Sequence, residues 1–221
     1  MWPGRRYEHR AEAGEALAQL LSGLEERPCV VAALPRGGVP VAVPVARELR
    51  APLTLSFVRK VALARNPELA VGAMDEDAHV LMNAGILSWL RAFPLELAEA
   101  RRRAARELAR QRELYRVRSM TTWLPEASVI LVDDGPATGL TLRAAVAHAR
   151  RHGAKRVIVA VPFSSGTAAR HLRREADRFV CPVVDPDFVA VSRYYADFHA
   201  VSDAEVSESL ERARGFAPAG G

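Results

Sequence analysis

Residues Val129–Thr141, Val-Ile-Leu-Val-Asp-Asp-Gly-Pro-Ala-Thr-Gly-Leu-Thr, constrain the fold of this chain more than any other stretch. Four apolar residues make a buried strand, Asp133 and Asp134 stand at its end, and a loop of small and hydroxylated residues follows. Leu140–Arg151 is then apolar at helical spacing, so the segment reads as strand, loop and helix. The amides of such a loop, with the helix N-terminus behind them, cradle a phosphate. Two acids beside that cradle would repel a phosphate on its own. A ligand offering both a phosphate and vicinal hydroxyls, with a cation nearby, removes the conflict, and a sugar phosphate is such a ligand. A turn that uses Asp and Thr only to cap a helix needs one acid or one hydroxyl. It does not need two acids, two threonines and Gly139 together.

The same alternation runs along the chain. Ala11–Leu24 carries Ala13, Leu17, Leu20, Leu21 and Leu24 on one helical stripe. Cys29–Leu34 is a short apolar strand, Pro35-Arg36-Gly37-Gly38 breaks it, and Val39–Leu49 continues as a helix. Leu53–Val61 reads as one strand and Leu63–Met74, polar with Pro67 and Gly72, as a mobile loop. His79–Met82 is a brief strand, Ile86–Arg91 a short helix and Leu95–Arg118 a long one. Val157–Val161 and Phe179–Val184 read as strands, Thr167–Arg174 and Asp203–Arg214 as helices, and Pro218–Gly221 as a frayed tail. Strands alternating with helices predict a doubly wound parallel sheet with helices on both faces. The 221 residues suit one α/β domain.

Charge and composition limit the setting. Hydrophobic residues make up 49% of the chain, enough for a sizeable core. No run approaches the roughly 20 apolar residues of a membrane span, and nothing apolar stands behind the N-terminal charges as in a secretory signal. Cys29 and Cys181 each lie in an apolar run and read as buried thiols, which suits a cytoplasmic protein. Lysine occurs only at Lys60 and Lys155, so arginine supplies 29 of the 31 basic residues. Arg91–Arg118 holds nine of those arginines against four glutamates. Only Tyr115 interleaves the basic helix, so it reads as a solvated or subunit-facing element, open to a homodimer, rather than a nucleic-acid surface.

Two further loops leave strand ends with chemistry in them. Gly37 and Gly38 let the backbone approach a ligand closely, and the guanidinium of Arg36 suits phosphate oxygens. Phe57-Val58-Arg59-Lys60-Val61 puts two cations where they must reach water or an anion. His148 and His152, four apart on the helix after Thr141, have metal-ligand spacing but no carboxylate or thiol nearby in sequence, and they read as exposed. The aromatics of Asp185–Phe188 and Ser192–Phe198 could stack on a ring or pack a C-terminal flap.

Asp-Asp-x-x-x-Thr-Gly-x-Thr after an apolar strand resembles the 5-phosphoribosyl-1-pyrophosphate (PRPP) loop of type I phosphoribosyltransferases. The resemblance covers roughly Cys29–Val61 and Val129–Asp197. It implies that Asp133 and Asp134 hold the ribose hydroxyls and, indirectly or through the substrate, Mg²⁺. It places Gly135, Ala137, Thr138, Gly139, Leu140 and Thr141 around the 5′-phosphate. It makes Arg36, Gly37 and Gly38 a pyrophosphate loop with a cis peptide, and Arg59 and Lys60 the basic pair ahead of a closing lid with Arg65, Glu68 and Gly72. Residues 183–200 would form the hood that reads the acceptor, and the helix near 95–118 is an insertion outside the resemblance. The implied reaction is phosphoribosyl transfer from PRPP to a nitrogen acceptor, such as a nucleobase, with release of pyrophosphate. Enzymes of 6-oxopurines carry an Asp three places after the acidic pair; Ala137 stands there, which disfavours that class and leaves no evident general base. The rival expectations are a non-catalytic PRPP or nucleotide sensor and a PRPP hydrolase. A sensor of this kind loses the lid residues, whereas Arg36, Arg59 and Lys60 are all present here.

Overall fold

The computed structural model describes residues 6–64, 66–86 and 93–217. Ten strands and six helices are defined among them. Their ranges are α1 Arg10–Leu21, β1 Cys29–Ala33, α2 Gly38–Glu48, β2 Leu53–Leu55, β3 Val58–Leu63, β4 Asn66–Asp75, β5 Val80–Met82 and α3 Pro94–Tyr115. They continue with β6 Ser128–Val132, α4 Leu140–Arg151, β7 Val157–Ala160, β8 Phe163–Ser165, α5 Gly166–Glu175, β9 Arg178–Val180, β10 Val183–Asp185 and α6 Asp203–Ala213.

Five strands form a parallel sheet in the order β2-β1-β6-β7-β9. All five residues of β1 and all five of β6 are buried, as expected of near-continuous apolar runs covered on both faces. Their pairing aligns Cys29 with Ser128 and Ala33 with Val132, so both strands end at one level. Alternate side chains serve opposite faces. Val31, Ala33, Ile130 and Val132 cluster with α1, α2 and α6, while Val30, Ala32, Val129 and Leu131 cluster with α4 and α5. The chain leaves β1 towards the β2 edge and returns to β6 on the other side. The β1/β6 boundary is therefore the switch point, beyond whose carboxyl ends such sheets take their ligands.

Three expectations are corrected. Leu53–Val61 is not one strand: β2 joins the parallel sheet, and after Ser56-Phe57 the chain turns into β3 of a separate antiparallel sheet, β3-β4-β5. Leu63–Met74 is not a loop. Asn66–Asp75 is a strand, paired Val58↔Asp75, Lys60↔Ala73 and Val61↔Gly72, with bulges beside Ala62. Burial of Val71, Ala73 and Met74 outweighs the turn signals of Pro67 and Gly72. Arg65, named for the lid, lies outside the described residues. Phe179–Val184 likewise divides at Cys181-Pro182 into β9 and β10, and β10 pairs in parallel with β8, which the sequence pattern did not reveal. A 3-10 turn at Ala84–Ile86 precedes residues 87–92, where most of the expected short helix falls, outside the described residues.

The long helix ends earlier than its composition suggested, at Tyr115, because Arg116 turns left-handed with φ 48°. Ala100, Ala104, Leu108, Gln111 and Tyr115 form its buried stripe. Arg103 donates from Nη2 to the Ala62 carbonyl (3.0 Å), so the helix backs onto β3 instead of standing in solvent on all sides. Glu99 and Arg103 pair at 3.3 Å as their spacing predicts, but Glu107 pairs with Arg110 at 3.0 Å, not with Arg103. Among the described residues, no helix is long and apolar enough to cross a membrane.

Candidate active site

The loop after β6 is shaped by its own side chains and by β8. Asp133 Oδ1 accepts from the amide of Asp134 (2.9 Å), and Thr138 Oγ1 accepts from the amide of Leu140 (3.4 Å). Gly135 has φ +146°, and a Cβ there would stand 2.3 Å from the Phe163 ring, so only glycine fits. The amide of Ser165 donates to the Pro136 carbonyl (3.2 Å), and the Ser165 hydroxyl donates to the Ala137 carbonyl. In planar trans peptides the opposite N–H groups, those of Ala137 and Thr138, then point away from Ser165. Gly139 N-caps α4 with φ 72°.

The loop after β1 runs against this one. The Pro35–Arg36 peptide is cis, as the resemblance implied. A Cβ on Gly37 would lie 2.2 Å from Asp134 Oδ2, and one on Gly38 would lie 2.6 Å from the Val132 carbonyl. Gly37 is thus required by the Asp134 carboxylate and Gly38 by the end of the β6 backbone, before any ligand is considered.

The two acids differ. Asp133 is held well above the usual carboxylate pKa, first by burial and then by the charge of Asp134, with Lys60 acting in the opposite direction. Asp134 is already partnered. Arg10, 7% exposed, donates from Nε to Asp134 Oδ2 (2.8 Å) and from Nη1 to the His199 carbonyl (3.0 Å). The Arg10 guanidinium lies 4.0 Å from the Phe198 ring centroid, and the Tyr195 hydroxyl donates to the Asp134 carbonyl (2.8 Å). Arg10 was missed from the sequence. Its signal, an arginine at the start of an amphipathic helix, does not differ from those of many surface arginines.

Asp133, Asp134, the loop Gly135–Thr141, Gly37, Arg59 and Lys60 line a cavity of about 1100 Å³. Arg143 on α4 and Thr167, Arg170 and His171 on α5 also line it and were not singled out in the sequence. Pro186, Phe188 and Val191 give the cavity an apolar end. Residues 183–200 therefore do border the site, although most of their aromatics pack on one another. Phe188 stacks on Tyr194 at 5.3 Å, and Tyr195 stacks on Phe198 at 5.6 Å. Arg36 goes elsewhere. Its Nη1 lies 3.6 Å from Asp203 Oδ1 at the start of α6, where Tyr115 and Arg110 also converge, and its side chain is not part of the cavity wall.

Residues 6–199 match the model of the phosphoribosyl transferase domain. The chain belongs to the phosphoribosyltransferase family. Two Mycobacterium tuberculosis proteins, from strains CDC 1551 / Oshkosh and H37Rv, are each named "Putative phosphoribosyl transferase". Each is 39% identical over 215 residues, 97% of this chain but 48% of its own length. This phosphoribosyltransferase chain thus spans about half the length of the curated relatives it matches. The crystal structure of TT1426 from Thermus thermophilus superposes with a TM-score of 0.74 at 37% identity, over 96% of this chain and 100% of that one.

Proposed function

We propose that this phosphoribosyltransferase domain moves the phosphoribosyl group of PRPP to a nitrogen acceptor and releases pyrophosphate. The observation that carries the reading is that Asp133, whose charge burial disfavours, and the cations Arg59 and Lys60 line one cavity at the sheet's switch point together with the Gly135–Thr141 loop. The ribose hydroxyls would donate to Asp133 and to the free oxygen of Asp134, whose other oxygen Arg10 holds. The 5′-phosphate would take the amides of the Ala137–Thr141 loop and the α4 N-terminus. Pyrophosphate would lie towards Arg59 and Lys60, and the acceptor ring towards Phe188 and Val191.

In the reaction the bond from the anomeric carbon to the pyrophosphate oxygen breaks, a carbon–nitrogen bond forms, and the proton of the acceptor nitrogen passes to the departing pyrophosphate or to water. Charge grows on the leaving pyrophosphate, where fixed cations lower the barrier. Mg²⁺ suits this site, because an acid pair that burial and mutual repulsion raise in energy is relieved by a cation. It would be held by Asp133 together with ligand oxygens, and when bound it neutralises the leaving group. Asp133 and Asp134 would fix the ribose and stand near its developing positive charge.

The test is pyrophosphate release from PRPP and Mg²⁺ across a panel of nucleobases. Acceptor-dependent release supports transfer, release without acceptor supports a hydrolase, and PRPP binding without release supports a regulator.

A further inference from the structure

His148 is fully buried on α4, yet neither of its ring nitrogens makes a hydrogen bond. Its Nε2 lies 3.1 Å from Asp77 Oδ2, and the same oxygen is 2.7 Å from His152 Nε2. The two imidazoles meet edge to face at 4.7 Å. No acid stands near this pair along the sequence; the turn between β4 and β5, far earlier in the chain, supplies one. We propose that Asp77, His148 and His152 form a binding site for a divalent transition-metal ion, with Zn²⁺ the representative, that ties the β4–β5 turn to α4.

The chemistry fits. Two neutral imidazoles and one carboxylate suit Zn²⁺ and its neighbours, whereas Mg²⁺ takes oxygen ligands. The three ligand atoms lie within 4.8 Å of one another. Around a tetrahedral ion with bonds near 2.05 Å, ligand atoms stand about 3.3 Å apart. Separations of 2.7 and 3.1 Å therefore need to open by about 0.6 and 0.2 Å. Glu76 Oε1 lies 4.0 Å from the other nitrogen of His148, on the side where metal-bound histidines commonly meet a carboxylate. Asp75 is committed elsewhere. Its Oδ1 accepts from the amides of Asp77 and His79, and its Oδ2 accepts from Arg151. Asp77 and His152 are each 38% exposed, which leaves an ion a way in and a coordination position for water. The site is separate from the phosphate loop: His148 is eight residues along α4 from Leu140, about 12 Å at helical rise.

The experiment uses the full chain, stripped with a chelator and titrated with Zn²⁺ and Co²⁺ by calorimetry and visible absorption. The expected result is one tightly held ion per chain, a Co²⁺ spectrum of low coordination number, and a Tm that rises with Zn²⁺. Asp77→Asn and His152→Ala, at half-exposed positions, should each weaken binding by about tenfold or more and remove the Tm rise. His148→Ala should do the same, and should it fail to fold, the other two variants carry the result. Asp133→Asn/Asp134→Asn should leave Zn²⁺ binding unchanged. No Zn²⁺ binding by the intact chain, equal binding by His152→Ala and Asp77→Asn, or loss only in the Asp133/Asp134 variant would overturn the proposal.

Discussion

Asp133 is the residue on which stability and function pull apart. Its folded-state pKa lies above the roughly 3.9 of an unfolded aspartate, so protonation favours the empty fold. That stabilisation is present below the unfolded pKa and is lost as pH rises through the folded value. Asp133→Asn should therefore unfold at a higher temperature than the parent at pH 7, and the gap should close as pH approaches 4. A thermal unfolding series across pH checks this, and a less stable variant at pH 7 would contradict it. The same substitution, combined with Asp134→Asn, should weaken Mg·PRPP binding by at least tenfold in calorimetry, since hydrogen bonds to charged groups carry about 1.5–3 kcal/mol each. Lys60 and Arg36 separate in the same way. Lys60→Ala should weaken pyrophosphate about tenfold, while Arg36→Ala should change it little, because Arg36 faces Asp203 across exposed ground.

Two loops from neighbouring strands share one volume, so a single added methyl tests how elements act together. Gly37→Ala would place a carbon against Asp134 Oδ2 and should push that carboxylate off Arg10. PRPP affinity should fall at least tenfold while the circular dichroism of the fold persists; unchanged affinity would mean that the loops adjust independently. The paired strands β3 and β4 make a second test. Amides of Gly72–Asp75 should exchange slowly with deuterium, and exchange as fast as that of an unpaired loop would restore the loop reading. The acidic pair with the loop after β6, the glycine pair after β1 and the alternation of strands and helices were legible in the sequence because each depends on residues adjacent in the chain. The breaks at Ser56-Phe57 and Cys181-Pro182 were not, since an apolar run does not say which sheet it joins. Arg10 on Asp134 and Asp77 beside His148 were hidden for the same reason: their partners lie 124 and 71 residues away.

For the whole molecule, the order β2-β1-β6-β7-β9 brings the loops after β1 and β6 to one switch point, and the β3-β4-β5 sheet adds the cations Arg59 and Lys60 from outside it. The long basic helix is part of this frame. It buries Ala100, Ala104 and Leu108, and most of its arginines lie on the exposed side, while Arg103 reaches the Ala62 carbonyl of β3. The curated relatives are about twice as long as this chain, which matches 48% of their length. Pyrophosphate release is the most direct measure of what that cavity does. The intact chain, given PRPP, Mg²⁺ and each of a panel of nitrogen bases, should release pyrophosphate with at least one base, only when that base is present, and not after Asp133→Asn/Asp134→Asn. Tight PRPP binding with no release for any base would contradict phosphoribosyl transfer.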